Sequence, residues 1–325
     1  IINLFVEEKA TGEISAGAGT GTEGGTFFFG VKENNYLGKG LKVIADATIS
    51  TDSLRGTFSI TNPNYNNSDK SVFVNIKAEE IDKLKDFGYK TNKTGFSLGT
   101  NFEYLKDFNL GLSTSSFLEK METDSTASAS QQKQAGNYWD TFLKFNFDYD
   151  KRNQKFKTTD GFRSYYSIDV PLISDTNTLT NSYDYKVFNE FYENNITTFS
   201  ISLSSANSIS DEDIKLSERL FIPSRKLRGF ESGKVGPKDN LDFIGGNYAS
   251  SASLSTTLPT LLPELESIDF NIFLDAGNIW GVDYDSSLDN SKIRSSTGIS
   301  IDWSTPIGPL NFVFAQPITK ASTDI

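Results

Sequence analysis

Three glycines, Gly19, Gly21 and Gly24, have the G-x-G-x-x-G spacing that cradles a pyrophosphate when it follows a strand and opens a helix. No helical period follows here, so the pattern reads as a strand running into a hairpin and no dinucleotide site is expected. The chain has neither histidine nor cysteine, which removes a Ser-His-Asp triad, histidine- or thiolate-held metals and any disulfide scaffold. Asp283, Asp285 and Asp289 crowd one segment, but Leu288 stands at the sixth position, where a calcium loop of the EF-hand type needs glycine. A solvated acidic loop is the expectation there. Asp148 and Asp150 share one face of a strand, and hydration accounts for them without acid–base chemistry. These residue types point to no enzyme and no cofactor.

The elements that carry these residues have two faces. Along 138–149, Trp139, Thr141, Leu143, Phe145, Phe147 and Tyr149 fall on one side and Asp140, Phe142, Lys144, Asn146 and Asp148 on the other. Near the end, Ile268, Phe270, Ile272, Leu274, Ala276 and Trp280 share one parity while Asp269, Asn271 and Asp275 share the other. Strands this long, apolar on one side and polar on the other, predict a transmembrane antiparallel β-barrel. With 37% hydrophobic residues, a mean hydropathy of -0.37 and no apolar run near ~18 residues, a bundle of membrane helices is excluded. The net charge of -11 argues against a nucleic-acid partner. Length alone suggests roughly two domains of ~150 residues, but a closed sheet grows by adding hairpins, so one barrel is expected.

About fifteen strands are predicted, over 14–21, 25–34, 41–51, 54–62, 71–81, 93–105, 108–121, 138–150, 161–172, 184–194, 197–209, 243–258, 267–280, 293–304 and 310–318. Turns after even-numbered strands are mostly short, as between Leu105 and Phe108, Glu193 and Ile196, or Ser304 and Pro309. Several after odd-numbered strands are long and polar: 122–137, 173–183, 281–292 and, longest, 210–242. Short turns at one end and long loops at the other suit an outer-membrane barrel. Trp139, Trp280 and Trp303 stand at strand ends on the apolar parity, where amphipathic rings would belt the membrane interfaces. A soluble β-sandwich is the competing architecture, but its strands average ~5–6 residues.

The longest loop holds Leu227, Arg228, Gly229 and Phe230, then Gly236 and Pro237, and the next predicted strand opens with Gly245, Gly246 and Asn247. This resembles the Omp85 superfamily, whose sixth extracellular loop carries a Val/Leu-Arg-Gly-Phe/Tyr signature. Glu33-Asn34-Asn35-Tyr36-Leu37-Gly38-Lys39-Gly40 resembles that family's first periplasmic turn, and Phe273-Leu274-Asp275-Ala276-Gly277-Asn278-Ile279-Trp280 its thirteenth strand. Thr305-Pro306-Ile307-Gly308-Pro309-Leu310, running into Phe314-Ala315-Gln316-Pro317, resembles its last turn and fifteenth strand. The first turn and the Ala-Gln-Pro segment are most similar to the branch of the superfamily that assembles barrels.

The resemblance implies a sixteen-strand barrel. Here about fifteen strands are expected over 10–325, the last being missing, and Ile1–Lys9, with Leu4 and Val6, resembles the tail of a final periplasmic POTRA domain. With no signal peptide at its start, the chain is expected to be the end of a longer precursor. The resemblance further implies that Arg228 reaches into the bore to meet Asp275. A close pair there is worth up to ~4 kcal/mol at an effective dielectric near ~20, before desolvation is subtracted. Gly229 allows the tight turn beside it, and Phe230 is expected against Phe273.

Strand one, with Ile14, Ala16, Gly17, Gly19 and Gly21, offers little cross-strand packing. Such an edge should unzip and expose backbone donors and acceptors to an incoming strand. The implied function is insertion of unfolded outer-membrane barrel proteins through this seam, in a cell outer membrane with the N-terminal side in the periplasm. Outer-membrane lipid, lipopolysaccharide and accessory assembly lipoproteins are the other expected partners. The alternatives are a polypeptide exporter of the TamA or two-partner secretion type, and the membrane anchor of a patatin-like phospholipase.

Overall fold

The computed structural model describes residues 9–21, 24–210, 212–258, 267–305 and 308–325. The alternating stretches form fifteen wall strands: β1 Gly12–Gly21, β2 Gly24–Tyr36, β3 Leu41–Ser50, β4 Ser53–Asn62, β5 Ser71–Lys83, β6 Tyr89–Leu105, β7 Phe108–Thr123, β8 Gly136–Asp150, β9 Gly161–Ser174, β10 Thr178–Tyr192, β11 Asn195–Ser208, β12 Tyr248–Thr257, β13 Ile268–Trp280, β14 Arg294–Thr305 and β15 Gly308–Thr319. Each pairs antiparallel with the next in one 15-stranded sheet. β1 and β15 end that order, and among the described residues neither has a second strand partner. No helix among the described residues is long and apolar enough to cross a membrane.

The two faces of the sheet differ as the alternation requires. Ile272 and Leu274 on β13 are 43% and 49% exposed, while Phe273 and Asp275 between them are 3% and 0% exposed. Phe27, Phe29, Ile76, Phe96 and Leu98 are likewise exposed. A contiguous apolar surface of this extent is a lipid face, since a sandwich would have buried it. The buried apolar residues lie on the opposite side, beneath the loops. Phe87, Tyr89, Met121, Leu216, Phe243, Ile244 and Val282 form one cluster; Ile222, Leu227, Phe230, Val235, Ala249 and Ile279 form a second. The core of this protein therefore fills one mouth of the barrel.

Two expected boundaries are corrected. β10 begins at Thr178, not 184, so residues 175–177 alone join it to β9 and 173–183 is no long loop. Thr178, Thr180, Asn181 and Ser182 read as loop by composition, yet Thr178 pairs with Ser208 of β11, and the other three have ladder partners on both sides. β12 begins at Tyr248, not 243, because Asp242 and Phe243 pair instead with Asp239 and Lys238 in a short hairpin. Gly245 there has φ of +66°, and a Cβ on Gly246 would run into the Trp280 backbone, so neither belongs to a regular strand. The long loop thus spans 209–247. The length rule for connections also has exceptions: 151–160 is long at the short-turn end, and 51–52 is short at the loop end. The remaining strands differ from expectation by only a few residues. The expected POTRA tail falls almost wholly on residues 1–8, and Pro306 and Ile307 of the last turn on 306–307, all outside the described residues.

Candidate functional site

The 209–247 loop folds back over the bore through two 3-10 turns, Leu216–Glu218 and Ser224–Lys226, and buries Leu216, Ile222, Leu227, Phe230 and Val235. Its tip is held at Arg228. The guanidinium donates from Nε to Asp275 Oδ2 and from Nη2 to Asp275 Oδ1, both at 2.7 Å, in a bidentate pair. The Arg228 backbone N–H donates to the same carboxylate at 3.1 Å, Nη2 also donates to Ser253 Oγ at 3.0 Å, and Ser296 donates its hydroxyl to the Arg228 carbonyl. The guanidinium carbon lies 3.5 Å from the centre of the Phe273 ring. Three strands, β12, β13 and β14, thereby grip one residue. Gly229 has φ of +87°, and a Cβ on it would stand 3.1 Å from the Ala315 methyl on β15, so both the turn and the close approach favour glycine.

Phe230 does not pack on Phe273 as expected. Phe273 is occupied beneath Arg228, and Phe230 turns into the cluster with Ile222, Leu227, Val235 and Ile279. A ring that stacks under a guanidinium on one face leaves no room there for a second apolar partner.

Further anchors had no local signal in the sequence. Lys215, 2% exposed, meets Glu119 of β7 at 2.9 Å, Asp140 of β8 at 2.5 Å and Glu218 at 3.4 Å. The Thr176 and Thr178 hydroxyls donate to Glu218, and the Ser174 hydroxyl and the Thr176 N–H donate to Asp140. Burial pushes the Glu218 carboxyl up despite the attraction of Lys215. Burial alone would lower the ammonium of Lys215, but the three surrounding carboxylates outweigh it and raise it. Arg219 pairs with Asp283, Lys226 with Asp184 at 2.7 Å, and Lys234 with Asp86 at 3.1 Å. Arg294 and Asp324, both with fully buried side chains, pair at 2.9 Å, and Asp324 accepts from the Gly236 N–H. The strand charges Glu119 and Asp140 do sit on the bore-facing parity. Their partners arrive from far along the chain, which spacing cannot reveal.

The other singled-out residues lie elsewhere. Asp283 is engaged by Arg219, Asp285 caps the Ser287 N–H, and Asp289 accepts from Gly281, so the three acids do not converge. Asp148 pairs with Arg163 on the neighbouring strand β9, and Asp150 with Arg152 two residues on. Trp139 opens β8, Trp280 closes β13 and stacks on Tyr248 at 5.7 Å, and Trp303 nears the end of β14 opposite Ile268. All three are exposed on the outer face.

In strand β1, Ile14 pairs with Val31, Ala16 with Phe29, Gly17 with Phe28, Gly19 with Thr26 and Gly21 with Gly24. A Cβ added to Gly17 or Gly19 would meet nothing within 4 Å. Crowding therefore does not demand glycine at these two positions, in contrast to Gly95, Gly99 and Gly298, where a Cβ would collide with neighbouring strands.

Comparison with known proteins agrees with this architecture. The outer membrane protein assembly factor BamA of Neorickettsia risticii is 22% identical over 338 residues, covering 100% of this chain and 45% of that protein. The chain thus spans about half the length of the curated relatives it matches. The crystal structure of BamA from Haemophilus ducreyi lacking POTRA domains 1-3 superposes with a TM-score of 0.88 at 23% identity, covering 98% of this chain and 69% of that one. CdiB from Acinetobacter baumannii shares the fold more distantly, with a TM-score of 0.59 at 11% identity over 96% of this chain and 57% of its own. The model of the Omp85 superfamily domain matches residues 35–325, most of the chain, and by the signature loop, the antiparallel wall and this match the chain belongs to the Omp85 superfamily.

Proposed function

We propose that this chain is the barrel portion of an outer-membrane protein assembly factor, and that it works by templating strands rather than by bond chemistry. It resides in the outer membrane, residues 10–325 forming the barrel and Ile1–Lys9 continuing from a periplasmic POTRA domain. The observation that carries this reading is β1. It is a sheet edge whose bore face is mostly glycine and serine, and Gly17 and Gly19 lack side chains even where space would accommodate them. Phe28 and Thr26 opposite them meet no side chain from these two glycines, so the β1–β2 edge is held mainly by its ladder. An edge of this kind exchanges partners at low cost and offers backbone groups to an extended segment.

For an unfolded barrel protein, each backbone group left unpaired in hydrocarbon costs several kcal/mol. A strand that pairs with β1 satisfies a row of them at once, which lowers the barrier to insertion. The Arg228–Asp275 clasp holds the loop inside the bore meanwhile, keeping the wall in register from β12 to β14. Trp139, Trp280 and Trp303 seat the barrel in lipid and lipopolysaccharide at its two interfaces. Unfolded barrel proteins are the substrates, and accessory lipoproteins are the expected partners.

The test is a covalent staple in the full-length protein. Cysteines placed in β1 and in its neighbour across the seam are oxidised, and insertion of a radiolabelled barrel substrate into proteoliposomes is followed. Insertion should stop under oxidation and return on reduction. Undiminished insertion by the stapled protein removes the seam from the mechanism.

A further inference from the structure

Below the clasp, the bore holds a cavity of about 570 Å³ lined by Arg152, Arg163, Lys186, Arg225, Lys226 and Arg228, with a bed of serine hydroxyls from β11 and β12. Six cations around one cavity are unexpected in a chain of net charge -11. Four of them are neutralised locally: Arg152 by Asp150, Arg163 by Asp148, Lys226 by Asp184 and Arg228 by Asp275. Lys186 and Arg225 are left over. Among the described residues neither has a carboxylate partner; Lys186 only lies over the Phe188 ring, 5.0 Å from its centre. Two of the six cations thus stand without a carboxylate partner among the described residues, in a confined space. The lining adds Ser200, Ser202, Ser251, Ser253 and Ser255 as neutral hydroxyl donors.

We infer that this cavity is an oxyanion site that takes a phosphate group, with Lys186 and Arg225 as the charge partners and the serine hydroxyls as further donors. A dianion matches the two uncompensated cations, whereas a single carboxylate would leave one of them unpaired. Ammonium and guanidinium both form charge-assisted hydrogen bonds to phosphate oxygens, and Arg does so bidentately. The space lies within the range of small-ligand sites and exceeds what a bare phosphate ion needs, so a phosphate ester fits as well. The ester has two sources, a soluble sugar phosphate or the phosphorylated headgroup of a membrane glycolipid entering through the seam. The inference does not depend on the proposed assembly function.

The experiment follows acylation of Lys186 by a water-soluble ester reagent, read by mass spectrometry of the purified full-length protein in detergent. Orthophosphate, glucose 1-phosphate and an acidic peptide are titrated separately, and the protein is also examined in nanodiscs with and without phosphorylated glycolipid. Saturable protection by the free phosphates assigns a soluble ligand, and protection by the glycolipid nanodiscs alone assigns the headgroup. Calorimetric binding of glucose 1-phosphate, or of the glycolipid headgroup freed of its acyl chains in the second case, should weaken at least about tenfold in Lys186→Gln and again in Lys186→Gln with Arg225→Gln, while Lys186→Arg retains it. Protection by none of these additives, or by the acidic peptide alone, overturns the site. So does binding that ignores both substitutions. The protection assay on the unmodified protein decides the matter even if a variant fails to fold.

Discussion

The loop seat and the seam strand are built on opposite terms. Around the 209–247 loop, buried charges find partners across the wall: Lys215 on β7 and β8, Arg228 on β13, and Arg294 on Asp324 beside Gly236. Along β1 the side-chain ties are the exposed Glu13–Lys32 pair with Asn34 beside it, a Thr11–Glu33 bond, and Ser15 reaching the Gly30 carbonyl at 3.4 Å. Pairs that are buried cost much to break, because one charge is left desolvated and alone, whereas exposed pairs contribute little. The loop seat is thus clamped by buried side chains, and the β1 edge is held mainly by its backbone ladder. Under the proposed function, in which the sheet opens at one place, opening concentrates where side chains add least, and this asymmetry assigns that place to β1.

The contrast can be broken most forcefully at Lys215. Lys215→Met leaves Glu119, Asp140 and Glu218 buried without their cation, and the loop seat should lose about 3–5 kcal/mol. Limited proteolysis should then cut within 209–247 while the wall stays folded; an unchanged digestion pattern would mean the ionic knot does not hold the loop. Arg228→Asp sets a second carboxylate against buried Asp275 and should cost the seat a comparable amount, and adding Asp275→Arg should recover part of it. No recovery at all in the melting temperature would show that the pairing is incidental. A glycine pair sharpens the comparison further. Gly298→Ala drives a Cβ into the Phe314 carbonyl and should destabilise the wall by roughly 1–3 kcal/mol. Gly17→Val, which has open space, should instead stiffen the seam by up to ~1 kcal/mol and slow substrate insertion. If both change stability in the same direction, crowding and not looseness explains the glycines of β1.

The smallest effect concerns pH. The folded state holds Glu218 above the ordinary carboxylate range, so its contribution to the loop seat is fully present below that range and is lost as pH rises through the raised value. Amide exchange in 215–218 should therefore speed up as pH is raised from mildly acidic towards neutral, after correction for intrinsic rates. Glu218→Gln should flatten that slope, and a slope unaltered by the substitution would assign it to another group.

Much of the wall was legible because its cause is local. Alternation of Phe145, Phe147 and Tyr149 with Asn146 and Asp148 needs only the two-residue strand period and a lipid face to be read. The start of β10 is not legible because Thr178, Thr180, Asn181 and Ser182 put polar side chains on both parities, and Leu179 alone makes too little hydrophobic contrast to mark the ladder. At the site, Arg228 and Asp275 were paired through the resemblance of their two segments to a known family. Their spacing of 47 residues carries no such information.

Read alone, the 325 residues determine an all-β, two-faced, membrane-spanning wall without histidine or cysteine chemistry, since composition and a period of two are properties of neighbouring residues. Only the tertiary structure decided that Lys215 meets Glu119 and Asp140, that Phe273 underlies Arg228 and not Phe230, and that Lys186 and Arg225 line the bore cavity with no carboxylate partner among the described residues. The physical reason is that a charge's partner depends on which strands the register brings round the barrel and on how a long loop folds back between them. Those are distances through space that no distance along the chain encodes.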